Sequence, residues 1–463
     1  MSGLTPAFAY DIKLAPLFSA EETYSDNKNL EPEGSANAGF ITTTTAGFDM
    51  TGKGNRSGFG LRYALQSVLD NDQPDTHQLY HLLDANGNAE LVRNHVFLNA
   101  SASARQRPKS LLDPVSVDSS TAAGNLQQTY SWSATPALVN RLGNFADSRL
   151  EYTHDEVYYR ASSGEDSTAD TGHYRLSSGE LFGRTQWALD ASYRKVHAGE
   201  LDSGRFGRYA AELGYQLDRH WLAKATGGYE KNDYQTLRSK TDGSFWEVGL
   251  DWAPTQRSRM SVGYGERFFG KTWRASLEHE RRYLTFDASY SETLTSDREN
   301  VLRPTGTIQI FDPNCPRSDP TCLPTDTVTV YETQPANSFF IAKSGRASVA
   351  ADLGRHRVTV GVGTLEREYE LTGEHTYEEG VDVAWDYTAE DRWRYGLAGS
   401  WSQVSFHPEN RDDDYWSIQG QIGREVFRDA RVALTLRHQT RKSTDPGAEY
   451  RENAATLGFY LHY

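Results

Sequence analysis

The chain has 463 residues, of which 37% are hydrophobic, and a formal net charge of −15. A mean hydropathy of −0.68 is low for a protein with a large packed core, and with no basic stripe nucleic acid is excluded as a partner. Aromatic residues at 12%, with 26 Tyr and 10 Trp, exclude wholesale disorder, which is poor in rings.

No apolar run is long enough for a membrane-spanning helix. A chain of this composition that crosses a bilayer must do so with strands. A thin apolar exterior around a polar lumen reconciles the low hydropathy with the abundant rings.

At the N-terminus, Ala7-Phe8-Ala9 reads as the cleavage end of a secretory signal lacking its charged and apolar parts, or as an ordinary flexible start. Residues 1–9 are set apart on that ground, and residues 10–463 are read as one domain. The first strand is placed near Leu17–Tyr24. Period-2 stripes then recur along the chain. Phe59, Leu61, Tyr63 and Leu65 form one, and Ala211, Leu213, Tyr215 and Leu217 another. Trp246, Val248, Leu250 and Trp252 follow, then Leu284, Phe286, Ala288 and Tyr290, then Val381, Val383, Trp385 and Tyr387. Each stripe alternates with polar residues, so each predicted strand has one apolar and one polar face. Trp246 with Trp252, and Trp393 with Trp401, bracket their stripes as interfacial rings do.

Connections fall into two alternating kinds. Short turns carry Arg and Lys: Gly52–Arg56, Leu217–His220, Glu280–Arg282, Leu353–His356 and Ala389–Arg392. Longer ones are polar and mostly acidic: Asn29–Gly34, Asp70–Asp75, Ser162–Thr171 and Glu409–Asp414. Short periplasmic turns and long outer loops alternate in this way in outer-membrane barrels. The fold class is therefore an all-β transmembrane antiparallel up-and-down barrel of about 22 strands, within a range of 18 to 24. An even count puts both termini in the periplasm. Barrels this wide often carry a plug, but the first strand begins too early for a separate plug domain.

The widest outer connection, Asn300–Asn337, contains Cys315 and Cys322. Six residues, two of them proline, separate them, which points to a local disulfide in an oxidising compartment and to inward folding of the loop. At the other extreme, the chain ends on a strand with Leu457, Phe459, Leu461 and Tyr463 on one face. That face suits lipid, its last ring suits the interfacial girdle, and it is the expected signal for the barrel assembly machinery.

Catalysis is not expected. No Ser, His and acid set converges, and the glycine pairs Gly361/Gly363 and Gly263/Gly265 sit in strand stripes with no helix to cap a phosphate. No metal or cofactor is predicted. The residues assigned to the lumen are Arg62, Asp190, Arg194, Glu212, Lys224, Glu247, Asp251, Asp287, Asp382, Asp386, Arg431 and Arg437, all of which alternate with apolar positions. They either hydrate the lumen and pair with one another or form a polar track for ions or a hydrophilic polymer. Acidic outer loops suit divalent-cation bridging to lipopolysaccharide, and basic turns attract anionic solutes.

Two stretches carry a family resemblance. Glu21–Leu30 opens the first strand and loop, and Leu83–Ser103, with Asn88-Ala89-Glu90-Leu91-Val92-Arg93-Asn94-His95 at its centre, forms a hairpin. Both resemble the outer-membrane barrel family found beside exosortase (PEP-CTERM) exopolysaccharide loci in Gram-negative bacteria. The resemblance implies export or assembly of an exopolysaccharide by passive, loop-gated conduction, with a periplasmic export complex as a possible partner. The alternatives are a barrel sheath around a multihaem cytochrome conduit and a general diffusion porin. The absence of an N-terminal CxxC weighs against the sheath.

Overall fold

A computed structural model describes residues 11–72, 77–109, 113, 121, 123–160, 166–198, 203–296, 298, 307–311, 324–329, 339–408 and 410–462, with 307–311 and 324–329 as backbone only. The first strands are β1 (Asp11–Ser25), β2 (Gly39–Lys53), β3 (Ser57–Asp70), β4 (Gln78–Val92), β5 (Val96–Pro108) and β6 (Leu126–Leu142). Next come β7 (Ala146–Tyr159), β8 (Ser167–Ser178), β9 (Thr185–Ala198), β10 (Gly204–Gln216), β11 (Trp221–Tyr234) and β12 (Gly243–Thr255). They are followed by β13 (Ser258–Arg267), β14 (Gly270–Arg281), β15 (Leu284–Ser296), β16 (Thr307–Phe311), β17 (Pro324–Thr329) and β18 (Phe339–Leu353). The last six are β19 (His356–Tyr369), β20 (His375–Thr388), β21 (Trp393–His407), β22 (Arg411–Phe427), β23 (Ala430–Ser443) and β24 (Tyr450–His462).

Twenty-two of these strands form one sheet, and β16 pairs only with β17. Each barrel strand is antiparallel to its neighbour in sequence, with β15 passing to β18. The ring closes where β1 pairs with β24, from Leu17↔His462 to Ser25↔Ala454. Closure leaves no strand at an edge along its whole length, and the ladder groups of the paired spans find partners inside the sheet.

Local sequence explains why these segments extend. Phe40-Ile41-Thr42-Thr43-Thr44-Thr45 in β2 is dense in β-branched residues, which pack well on a pleated surface. Turns close with residues suited to them. Gly143 and Gly354 adopt φ of +59° and +74°, open to glycine without Cβ strain. Asp218 accepts from the backbone N–H groups of His220 (2.6 Å) and Trp221 (3.0 Å). Those bonds hold its carboxyl below the usual aspartate range.

The two faces of the wall differ sharply. Leu213 (62% exposed), Leu436 (57%) and Leu457 (58%), with Val248, Val383, Leu397 and Ile418, project from one face. Large apolar side chains left this open need hydrocarbon around them. Rings pack together on the same face near both ends, Trp221 stacked on Trp252 (5.3 Å) at one and Trp246, Tyr264 and Trp273 in edge-on and tilted series (5.8 and 4.5 Å) at the other. The opposite face is the inner one, because contacts between strands far apart around the ring are made from it.

Three sequence expectations change. β1 starts at Asp11, not near Leu17: Pro16 hides its start, although it lies outside the β24 pairing, where one flank has no ladder to interrupt. β24 starts at Tyr450, well before the stripe of Leu457, Phe459 and Leu461 that announces it, because its first residues, Tyr450-Arg451-Glu452-Asn453, carry no apolar stripe. Connections at the long-loop end are not all long, since β13 and β14 join through Phe268 and Phe269 alone, with Gly270 at φ +126°. Residues 1–9, the Cys315–Cys322 pair and Tyr463 lie outside the described residues.

A charge placed on the outer face should be far worse than one placed on the inner face. Val248→Arg should cost about 2–4 kcal/mol and Thr226→Lys, opposite Glu247, under about 1 kcal/mol, measured as equilibrium unfolding from lipid bilayers.

Candidate functional site

The inner face carries a belt of ion pairs set by strand register. Arg62 grips Asp49 with two parallel bonds of 2.7 and 2.8 Å, and Arg105 reaches Asp84 at 2.6 Å. Asp190 bonds His173 at 2.8 Å and Arg175 at 3.5 Å, and Arg175 also reaches Glu212 at 3.6 Å. Lys224 pairs with Asp251 and Arg274 with Glu247, each at 2.5 Å. Most of these side chains stay partly open to the lumen, so each pair contributes about 0–1 kcal/mol. Their main effect is to cancel charge along the path.

The remaining residues assigned to the lumen have other surroundings. Arg431 lies over the Tyr460 ring at 4.9 Å. Asp287 stands between Glu278 and Ser348 in register. Asp382 and Asp386 alternate with the exposed Val383 on β20, and Asp382 is buried beside Gly361. Arg194 faces Thr171 and Phe206 in register. Arg437 holds Glu452 at 3.1 Å, where both are buried, and also reaches Thr121 at 3.4 Å. Leu457, Phe459 and Leu461 lie on the outer face.

At the long-loop end, contacts cross the barrel. Phe339 at the start of β18 packs against Phe206 of β10 (5.0 Å) and Tyr234 of β11 (5.3 Å), joined by Val196, Ala198 and Leu294. Above this apolar plug of rings the β11–β12 connection grips the end of β19. Arg238 bonds Glu370 and Glu368, each at 2.7 Å, and Glu370 also accepts from Tyr234 (3.1 Å) and Thr236 (2.7 Å). The Leu237 N–H donates to the Glu370 carbonyl at 2.7 Å, and the Glu370 N–H donates to the Phe339 carbonyl at 2.9 Å. Burial pulls the Arg238 guanidinium down, but Glu370 and Glu368 outweigh it and hold it above its usual value.

Two further links span the same mouth. Arg298, fully buried, pairs with Asp155 of β7 and donates to Ser167 of β8 at 2.8 Å. Arg441 pairs with Asp413 at 2.5 Å, both buried, and reaches the Asp113 carbonyl at 3.0 Å. Such pairs are weak evidence of net stability, yet removing one partner strands a buried charge. The β1–β2 loop is anchored separately, by Lys28 to Asp70 (2.8 Å) and Asp72 (3.0 Å).

Reading the sequence missed the latch residues Arg238 and Glu370. Both lie just beyond strand ends, where alternation stops carrying information, and only the tertiary path brings them together. Among the described residues no group of three or more His, Cys, Asp or Glu is placed to hold a metal ion.

A scan against protein-family models finds no match, and a search of curated proteins finds none either. Solved structures do match. The FrpB iron transporter of Neisseria meningitidis (F5-1 variant) has a TM-score of 0.51 at 10% identity, covering 96% of this chain and 82% of that one. A mutant of the ferric enterobactin receptor PfeA of Pseudomonas aeruginosa has a TM-score of 0.52 at 9% identity, covering 97% of this chain and 80% of that one. At such identities the likeness is one of fold: this is an outer-membrane-type β-barrel.

Two outcomes follow from the mouth. Arg238→Ala leaves Glu370 buried without its cation and should destabilise the β11–β12 connection by about 2–3 kcal/mol, seen as faster amide exchange over residues 235–242 in an otherwise unchanged barrel. For Lys28, burial alone would lower the ammonium, but Asp70 and Asp72 hold it above 10.5. A raised value means that its anchoring is complete below pH 10.5 and is lost as pH rises through the raised value. A spin label at Ser35 should gain mobility only in that alkaline window, and at neutral pH in Lys28→Met.

Proposed function

We propose that the protein is a gated conduit of the Gram-negative outer membrane for a hydrophilic polymer, with exopolysaccharide as the cargo. The observation that carries this reading is a charge-compensated, polar inner face bridged across one mouth. Paired charges leave a hydrated path with little net field, which favours passage of a glycan over selection of small ions. An inner-face ring beside an arginine, Tyr460 with Arg431, offers an apolar surface along which sugar rings slide. The resemblance of Glu21–Leu30 and Leu83–Ser103 to the barrels beside exosortase loci supports the choice of cargo.

In this reading the termini and short turns face the periplasm, where an export complex delivers the polymer. The latched mouth faces outward among lipopolysaccharide. The apolar stripe of β24 is what the barrel assembly machinery engages. Likeness to a siderophore receptor makes uptake of iron chelates a second reading, supported by fold alone.

Planar-bilayer recording tests the proposal. The wild-type protein should open rarely, Arg238→Ala should open at least several-fold more often, and purified exopolysaccharide on the short-turn side should produce transient blocks. Absence of any conductance step in both proteins would overturn it. Iron-chelate accumulation by cells, abolished on deleting the protein, would favour the second reading.

A further inference from the structure

Beneath the latch, the inner wall of β10–β14 holds a second arginine arrangement that the ion-pair belt does not explain. Glu230 of β11 is buried, its side chain 3% exposed, and it receives two guanidinium groups. Arg267, the last residue of β13, donates to it from Nη2 at 2.8 Å and from Nε at 3.0 and 3.2 Å. Arg208 of β10 approaches the same carboxylate with Nε at 3.5 Å. Two cations therefore share one anion.

The neighbouring carboxylates are bonded elsewhere, although Asp190 and Glu247 still act on Arg208 through space. Asp190 is engaged by His173 and Arg175, and Glu247 by Arg274. Among the described residues neither Arg208 nor Arg267 forms another ion pair. Within this cluster two guanidiniums thus meet one carboxylate, on the wall that faces the lumen.

Both guanidiniums are also held flat. Arg208 lies over the Phe245 ring at 4.6 Å and Arg267 over the Phe269 ring at 4.9 Å. Phe245 can lie against the wall only because residue 228 is glycine, since a Cβ there would stand 2.6 Å from the ring. Stacking on a ring and sharing a carboxylate remove most of the rotamer freedom of a long side chain. Arg208, with 46% of its side chain exposed, keeps donors open to the lumen. A fork of this kind fits a planar carboxylate.

We propose that Arg208 and Arg267, set on Phe245 and Phe269 and joined through Glu230, form a binding site for the carboxylate groups of an acidic polysaccharide. This deepens the conduit reading, on which it rests, by naming the class of polymer. Glu230 acts as the internal competitor: it holds the arginines in place when the site is empty and limits how tightly the passing polymer is held, so that the polymer can leave.

The test is equilibrium binding to the purified full chain in detergent, with a uronic acid hexamer and the neutral glucose hexamer maltohexaose as probes. The uronic hexamer should bind measurably at low salt and maltohexaose should not. Arg208→Gln/Arg267→Gln should weaken the uronic hexamer at least 10-fold, and Glu230→Gln should tighten it several-fold, a gain that a purely structural role for Glu230 does not produce. Should the double variant fail to fold, Arg208→Gln alone should weaken binding at least 3-fold. Equal binding of both probes, or unchanged binding in the folded variants, overturns the site. The assay does not depend on conduction, so an intact binding result with no channel activity would instead count against the conduit.

Discussion

Everything in this molecule depends on the pairing of β1 with β24. In hydrocarbon a backbone N–H or C=O without a partner costs several kcal/mol, and an open 22-stranded sheet would present two full edges of them. Nine residue pairs, Leu17↔His462 through Ser25↔Ala454, remove both edges over that span. Closure also creates an inside, and only then do the two faces of each strand acquire different solvents.

Given an inside, side-chain chemistry divides. Outward positions carry Leu, Val, Ile and aromatic rings. Inward positions carry Arg, Lys, Asp and Glu, and antiparallel register places opposite charges within reach. Lys224 meets Asp251, and Arg62 meets Asp49, through the pairing of neighbouring strands. The pairs in the middle of the wall stay partly hydrated and cancel charge. Those near the long-loop mouth, such as Arg441 with Asp413, are buried and fix loops in place. One chemical pair thus has two effects, and burial decides between them.

The mouth and the arginine fork show how that difference bears on function. Arg238 and Glu370 are satisfied by one another and tie the β11–β12 connection to the end of β19. Arg208 and Arg267 share a single carboxylate. In the conduit we propose the first would be a releasable barrier, and the second a site whose hold on cargo is tempered by a built-in rival.

Alternation made the barrel legible from the amino-acid order, because a period of two on a strand maps directly onto lipid and lumen. It located the polar face on which Glu212, Lys224 and Asp251 lie, and the apolar stripe of Leu457 and Phe459. It did not locate the latch, since Arg238 follows β11 and Glu370 follows β19, and no local pattern links positions 132 residues apart. Nor did it single out Arg208 and Glu230, which look like any other inward charges until register and ring stacking join them to Arg267.

The order of residues by itself determined the architecture, a sheet with one face for hydrocarbon and one for water, because periodicity is a local property that each strand states independently. Only the tertiary structure decided which charges neutralise each other, which loops meet across the opening, and where two guanidiniums share one carboxylate. Those outcomes depend on distances between strands remote in sequence, and Coulomb and hydrogen-bond energies fall off too steeply with distance for composition alone to reveal them.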